Sequence, residues 1–217
     1  MLAANMRMDK QLIAEKTAKY VRDVMNHEPG HDWFHIERVV SIAKVIGRRE
    51  GADMFVVEMA ALLHDVDDWK FTDGSTMARD WMRSVGVGDD AAKIMDIIEN
   101  LSFKGTTHDD SMTTIEGKVV QDADRLDAIG AIGIARVFTF AGHSNNPIHD
   151  PSIKPRLDMT TEEYKKNKST AINHFHEKVL LLKGRMNTAT GRELAHGRHE
   201  FIEKYLDQFF KEWEGKV

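Results

Sequence analysis

Residues 59–66 have the sequence MAALLHDV, in which an apolar run ends directly in His64 and Asp65. The run begins at Met54, and its length and composition predict a buried helix. Ionisable side chains in such surroundings must be paired, hydrogen-bonded or bound to a metal. Adjacent residues of a helix lie about 100° apart, so both side chains can reach one ion from a helix end. We therefore expect a buried helix that ends in two polar ligands.

Helices are predicted on both sides of this segment. Upstream, apolar residues recur at helical spacing over 10–25 and over 32–49, and Asp32 is a favourable N-cap for the second helix. Strand-like alternation is essentially absent, which predicts an all-α fold arranged as a helical bundle. Downstream, the pattern predicts helices over 76–86, 89–101, 114–127 with a continuation towards residue 140, 160–186 and 190–213.

Length and composition bound the class of protein. The 217 residues suffice for one domain and no linker divides them. We therefore predict a single domain over 1–217, with a core at about 10–140 and helices at about 160–214 completing the bundle. The absence of cysteine excludes disulfides, iron–sulfur clusters and thiolate zinc sites. A net charge of −5 argues against binding of a nucleic-acid polymer.

The hydropathy pattern also predicts the compartment. No apolar run approaches the ~20 residues that a membrane span needs. The first residues, MLAANMRMDKQLIAEK, lack the apolar stretch of a signal peptide. We therefore expect a cytoplasmic protein with no membrane partner, and a surface rich in Met and Phe could support a homodimer.

Histidines and aspartates in two other segments could complete a metal site. His31 and His35 are four residues apart and would share one face of a helix. On another predicted helix, Asp124 and Asp127 face together, whereas Asp122 points elsewhere. A lone histidine on a helix is more often a surface or satisfied core residue, so the prediction rests on the combination. A zinc-peptidase reading of the HxxxH spacing is disfavoured because no fitting third ligand is present.

Two imidazoles and two carboxylates would leave a divalent cation nearly neutral, with open positions for water and substrate. Such a cation lowers the pKa of water for attack on phosphorus. Helices in a bundle core can bring distant ligands of this kind together. These donors accept Mn²⁺, Mg²⁺, Ni²⁺, Co²⁺ or Fe²⁺, so the identity of the metal stays open.

In combination, these segments resemble the HD superfamily, the all-helical phosphohydrolases defined by an H…HD…D pattern. The resemblance covers most of the chain and implies an HD-domain helical bundle. It matches the first ligand to His35, which precedes Arg38 and Val39, and the doublet to His64 and Asp65. The last ligand belongs to an A-D-x-L segment, which implies Asp124 at 123–126, with Asp122 as the competing candidate.

Four segments together resemble one bacterial branch of this superfamily: HDWFHIERV, LLHDVDDWKF, DADRLDAIGAIGIARVF and NHFHEKVLLLKGRMNT. Its better-understood members are similar to manganese-dependent nucleotide pyrophosphohydrolases. In related branches an acidic residue three positions after the HD aspartate transfers a proton, and Asp68 occupies that position. The chain lacks a GYP extension and a synthetase domain, although a small stand-alone guanosine tetraphosphate hydrolase stays an alternative.

The resemblance implies a metal-dependent phosphohydrolase that acts on a small phosphorylated substrate, with a nucleoside tri- or diphosphate as the leading class. A metal-containing nucleotide sensor without turnover is the alternative, and a metal-free helical scaffold is a third reading. Basic residues that could bind the phosphates equally fit a solvated helix surface. They are Arg38, Lys70, Lys104, His174 and Lys178, with Arg125 able instead to pair with Asp122 or Asp127.

Overall fold

The computed structural model describes residues 2–25, 32–67, 76–101, 111–157, 159–160, 162–163 and 169–216, with side chains from residue 9 onward. Throughout these residues the regular elements are helices and no strand occurs, so the predicted all-α class is confirmed. The helices are α1 (Leu2–Val24), α2 (Trp33–Glu50), α3 (Met54–Leu63), α4 (Met77–Val85), α5 (Asp90–Leu101), α6 (Ile115–Asp127), α7 (Gly130–His143), α8 (Ala171–Glu177), a 3-10 helix (Val179–Arg185) and α9 (Ala189–Trp213).

Two compact units make up the chain. The first contains the described residues up to 101 together with 111–123, and the second contains those from 124 onward. The prediction that all residues form one domain stays a prediction. No helix among the described residues is long and apolar enough to cross a membrane.

Helix α3 lies at the centre of the first unit, where it packs against α1, α2 and α5. Seven of its residues are buried, including the whole run 59–63. A helix that is apolar on all sides is stable only when other helices surround it. The sequence MAALL therefore predicts this central position correctly.

The ends of α2 and α3 have clear local causes. The side chain of Asp32 accepts a hydrogen bond from the backbone N–H of His35, which caps α2 as predicted. Gly51 ends α2 in the left-handed region at a φ of 72°, which glycine adopts without steric cost. Asp53 then caps α3 by accepting from the N–H groups of Phe55 and Val56. The helix ends at Leu63, so that His64 follows its last turn.

In the second unit, α9 packs against α7 and the 3-10 helix, and α8 contacts both α7 and the 3-10 helix. The side chain of Thr188 caps α9 by accepting from the N–H of Gly191, which confirms the predicted C-terminal helix to within a residue at its start. Phe175 is fully buried between Phe138 and Tyr205, with ring centroids at 6.1 and 6.2 Å.

Two predicted helix boundaries are wrong. The helix that starts near 114 does not continue to 140, because Gly130 takes a φ of 76° and begins a new helix. The long helix predicted over 160–186 is also interrupted. Thr170 is extended and caps α8, and Lys178 leaves helical geometry at φ −140°, after which a 3-10 helix begins. Local caps therefore override the helical periodicity in this part of the chain.

Candidate metal centre

His35 lies on the buried face of α2. Its side chain is 1% exposed, and it shares this face with Ile36, Val39 and Ala43. The cap at Asp32 accepts from the backbone N–H of His35 at 2.9 Å, so the first turn of α2 is fixed at this residue. The helix therefore holds the imidazole of His35 inside the first unit rather than at its surface.

His64 and Asp65 form the turn that follows the buried end of α3. Both are about 6% exposed. His64 Nδ1 donates a hydrogen bond to the carbonyl oxygen of Ala61 at 2.9 Å. A carbonyl oxygen can only accept, so this bond places the proton on Nδ1 and leaves the lone pair on Nε2. A histidine whose second nitrogen is anchored in this way is oriented as metal-bound histidines are.

The donor atoms of these three residues converge. Nε2 of His64 lies 3.3 Å from Nε2 of His35. The Asp65 carboxylate oxygens lie 3.5 Å from His35 Nε2 and 3.4 Å from His64 Nε2. Ligands held about 2.1 Å from one cation are separated by about 3.0 Å at octahedral angles and about 3.4 Å at tetrahedral angles. The residues present therefore fit a divalent cation in both spacing and donor chemistry.

Asp67, which the sequence analysis did not single out, anchors the turn that carries this doublet. Its carboxylate accepts hydrogen bonds from the backbone N–H groups of Met77 at 3.0 Å and Ala78 at 2.9 Å. Thr76, the N-cap residue of α4, makes no capping bond and donates its hydroxyl to Asp80 instead. The carboxylate of Asp67, ten residues before the helix begins, therefore caps α4. In the sequence, the only signal for this role is the repetition of aspartate in 65–68.

Helix α6 carries the two alternatives for the fourth ligand. Asp122 is fully buried, whereas Asp124 is half-buried. Their side chains point about 200° apart because they are two residues apart on one helix, so they serve different surroundings. Asp122 belongs to the first unit and Asp124 begins the second. The preference for Asp124 stays a prediction.

The basic residues near these aspartates have structural partners. Arg125 is buried and donates Nη1 to the backbone carbonyl of Arg185. Asp127 is 1% exposed and forms an ion pair with Arg136 at 2.6 Å. Arg38 lies one turn after His35 on α2 and is half-buried, so it remains a candidate for phosphate binding. The proposed acid Asp68, the lysines Lys70 and Lys104, and His31 lie outside the described residues.

His174 lies on α8 and Lys178 directly follows the last residue of that helix, where its N–H donates to the carbonyl oxygen of His174 at 3.0 Å. The binding of one anion by both side chains stays a prediction. Burial of the ring, followed by the nearby positive charge of Lys178, lowers the pKa of His174 from 6.5 to about 3. The imidazole is therefore neutral at physiological pH, so toward a phosphate it can offer one N–H donor but no positive charge.

The sequence of this chain is similar to those of known proteins. The HD domain family matches residues 33–129. The uncharacterized protein YpgQ of Bacillus subtilis is 40% identical over 210 residues, which cover 93% of this chain and 94% of YpgQ. A crystal structure of YpgQ in complex with ADP has a TM-score of 0.77 at 39% identity, covering 94% of this chain and 96% of that one.

Two further solved structures support the same relationship. A protein from Lactobacillus plantarum has a TM-score of 0.85 at 38% identity, covering 94% of this chain and 98% of the other. An HD-superfamily hydrolase from Bacillus thuringiensis has a TM-score of 0.74 at 40% identity, with the same coverage. Because the identity extends over nearly the whole length of both chains, this chain belongs to the HD superfamily of hydrolases.

Proposed function

We propose that the chain is a metal-dependent phosphohydrolase that cleaves a small phosphorylated substrate, with a nucleoside tri- or diphosphate as the leading class. The observation that carries this proposal is the convergence of His35, His64 and Asp65 at donor separations of 3.3–3.5 Å. Two imidazoles and a carboxylate whose donor atoms converge at such spacing form a nitrogen and oxygen donor set suited to a divalent cation. HD domains as a family hold a divalent cation with this type of ligand set.

The full ligand set that we propose is His35, His64, Asp65 and Asp124, with Asp122 as the competing fourth ligand. Two neutral imidazoles and two carboxylates balance the charge of a divalent cation. Nitrogen and oxygen donors in this ratio accept Mn²⁺, Mg²⁺, Ni²⁺, Co²⁺ and Fe²⁺. We take Mn²⁺ as the first ion to test because the resemblance leads to manganese-dependent enzymes.

When bound, the cation would lower the pKa of a water molecule and offset negative charge on the phosphoryl oxygens. The chain's own residues supply the rest. His64 keeps its lone pair on Nε2 through its bond to Ala61. Asp68 is proposed to transfer the proton to or from the reacting groups. Phosphate charge is proposed to be held by Arg38, Lys70, Lys104 and Lys178, with His174 contributing an N–H donor.

The nucleotide part of the proposal rests on a relative. YpgQ, which is 39% identical over almost the whole chain, was crystallised in complex with ADP. A nucleoside diphosphate is therefore a reasonable ligand class for this chain, and a triphosphate adds only one further phosphoryl group. Membership of a fold family by itself identifies neither the nucleotide base of the substrate nor the bond that is cleaved.

The test is the release of phosphate and pyrophosphate from a panel of nucleoside di- and triphosphates. EDTA, Mg²⁺, Mn²⁺, Co²⁺ and Ni²⁺ should be compared side by side with the purified full chain. We expect release from one nucleotide class that needs a cation and stops in EDTA. His64→Ala and Asp65→Ala should reduce it to background, whereas the matched surface variants His196→Ala and Asp207→Ala should keep it.

Full activity in both His64→Ala and Asp65→Ala, with the fold intact by circular dichroism, would contradict the proposal. Tight nucleotide binding without turnover in any of these cations would favour a metal-containing sensor instead. Elemental analysis of the purified protein separates both cases from a metal-free scaffold, which would contain no stoichiometric cation.

A further inference from the structure

A cavity of about 270 Å³ lies in the second unit, between the loop that follows α7 and the helices α8 and α9. Its walls come from one face of α8, from Phe210 of α9 and from five loop residues, which are His149, Pro151, Ile153, Lys154 and Pro155. None of the described residues that were predicted to bind metal or phosphate lines it. The cavity is therefore a feature that the proposed function leaves unexplained.

The walls of the cavity are held in place by hydrogen bonds. The first two N–H groups of α8, at Ala171 and Ile172, donate to the carbonyl oxygens of Pro147 and Ile148 at 2.9 and 3.0 Å. The buried side chain of Asn173 donates Nδ2 to the carbonyl oxygen of Ile153 at 2.8 Å. These bonds fix the loop against α8, so the cavity exists before any ligand arrives.

The ionisable residues of the lining are all basic. They are Lys154, His149 and His176, with Asn173 as a neutral polar neighbour, and no carboxylate of the described residues lines the cavity. The side chain of the adjacent Asp150 accepts hydrogen bonds from the backbone N–H and the hydroxyl of Ser152. A lining whose ionisable residues are all basic favours an anionic ligand over a cationic one.

Aromatic rings fix the position of His149. The rings of Phe209, Phe210 and Trp213 contact it nearly perpendicularly, with centroid separations of 6.0, 5.5 and 4.8 Å. Its Nδ1 is shielded from solvent and has no hydrogen-bond partner among the described residues. Aromatic packing rather than a hydrogen bond at Nδ1 therefore holds the ring.

We propose that this cavity binds a small organic anion with one planar apolar ring. Lys154 and the two imidazoles would hold the anionic group, and Phe210 with Ile172 would contact the ring. A volume just below the range of about 300–1,000 Å³ that is usual for drug-sized ligands fits a single-ring molecule. The proposal does not depend on the metal centre or on the hydrolytic activity.

Isothermal titration calorimetry with benzoate tests it directly. The full chain should be used in EDTA, so that the metal centre takes no part in the measurement. Benzyl alcohol, which keeps the ring without the charge, and acetate, which keeps the charge without the ring, serve as reference probes. We expect saturable binding of benzoate with a dissociation constant at least about tenfold lower than that of either reference.

Variants then locate the binding. Lys154 is exposed, so Lys154→Gln should fold normally and weaken benzoate binding about fivefold to tenfold. His176→Gln should act in the same direction, and Lys204→Gln, on the exposed face of α9, is the matched control without effect. Phe210→Leu should weaken benzoate and leave the weak acetate binding unchanged.

Three results would overturn the proposal. The first is the absence of saturable benzoate binding up to tens of millimolar. The second is binding of acetate or benzyl alcohol as tight as that of benzoate, which would remove the need for a ring or for a charge. The third is binding that persists unchanged in both Lys154→Gln and His176→Gln, which would place the ligand elsewhere.

Discussion

The end of α3 and the segment from α7 to α9 place their polar residues in different ways. At the end of α3, His64 and Asp65 follow a helix that is enclosed by α1, α2 and α5. Between α7 and α9, the described residues include a loop after α7, the seven-residue α8 and a 3-10 helix, and individual bonds hold their polar side chains. Glu177, for example, is 2% exposed and accepts from the Ser169 hydroxyl and the Arg156 N–H.

The difference shows what a sequence pattern can specify. A fully buried helix has one stable position, so the polar residues at its end inherit that position from the packing around it. A short helix held by caps depends on bonds to residues far away in sequence. We therefore expect that substitutions of the ligands in the first region reduce metal binding. Substitutions of the caps in the second region should reduce the free energy of unfolding, and the following variants test this contrast.

The largest effect is expected from Asp65→Asn. This variant keeps the size of the side chain but removes the negative charge that faces both imidazoles at 3.4–3.5 Å. We expect the affinity for Mn²⁺ to fall by at least about 100-fold, because a directly coordinating carboxylate matters more than outer-shell groups, which are worth 10–100-fold. Isothermal titration calorimetry of the metal-stripped protein measures it, with the exposed Asp207→Asn as control.

An unchanged Mn²⁺ affinity in Asp65→Asn would show that the doublet is a structural pair rather than a metal centre. Circular dichroism in EDTA must accompany the titration. We expect the variant to stay helical, because the buried run 59–63 positions this turn and does not depend on the carboxylate.

A smaller effect is expected from Asp67→Ala. The carboxylate of Asp67 supplies two hydrogen bonds to the first turn of α4, where the N-cap residue supplies none. Loss of a helix cap costs about 0.5–2 kcal/mol, so the urea midpoint should fall accordingly. Asp80→Ala, which removes an exposed acidic group from the same turn, should change stability much less. Equal effects of the two substitutions would mean that Asp67 does not cap the helix.

The sequence predicts the first region well because its signals are local. The apolar run of α3, the cap at Asp32 and the position of His64 after the last helical turn are all confirmed. The convergence of His35 with His64, 29 residues apart, needs the packing of α2 on α3, which a sequence implies only through a family resemblance. The roles of Asp68, Lys70 and Lys104 stay predictions.

The break between α6 and α7 shows why helical periodicity does not predict every helix boundary. At Gly133 a side chain would place its Cβ only 2.3 Å from the carbonyl oxygen of Ala128, and at Gly130 it would meet the Arg198 side chain at 3.1 Å. Two glycines three residues apart in DAIGAIG were a usable signal for this turn. The contact between Gly130 and Arg198 cannot be predicted from the sequence, because the two residues are 68 positions apart.

The segment after residue 160 is harder still to predict. Its helical periodicity is real, yet Thr170 caps a new helix and Lys178 ends it after seven residues. The bonds to the buried Glu177 come from Arg156 and Ser169, which precede α8. Such tertiary bonds decide between one long helix and two short ones, and periodicity alone cannot weigh them.

Removing the cap of α8 should have a moderate effect. Thr170→Val keeps the shape of this buried side chain but removes the oxygen that accepts from the Asn173 N–H at 3.0 Å. We expect a loss of about 1–2 kcal/mol in the free energy of unfolding. Thr170→Ser keeps the oxygen and should lose less, which separates capping from packing. Metal affinity should not change in either variant, and a loss of Mn²⁺ binding in Thr170→Val alone would break the contrast between the two regions.

The smallest effect concerns the charge state of His174. Burial and the neighbouring Lys178 lower its pKa to about 3, so NMR of the ring should show no titration between pH 8 and 5. As pH falls, the unfolded chain takes up this proton first, near pH 6.5. His174 therefore contributes its full stability above about pH 6.5 and loses it as pH falls towards 3. His174→Gln should flatten this part of the stability profile.

Substitution of Lys178 tests the cause of the shift. Burial is the larger cause, so Lys178→Gln should raise the pKa of His174 by less than about one unit, and the exposed Lys204→Gln should leave it unchanged. A ring that titrates near 6.5 in the unaltered chain would show that His174 is hydrated and can carry a positive charge. In that case His174 could offer a positive charge to a phosphate. The two regions would then differ in the solvation of their histidines as well as in backbone structure, because His35 and His64 are buried.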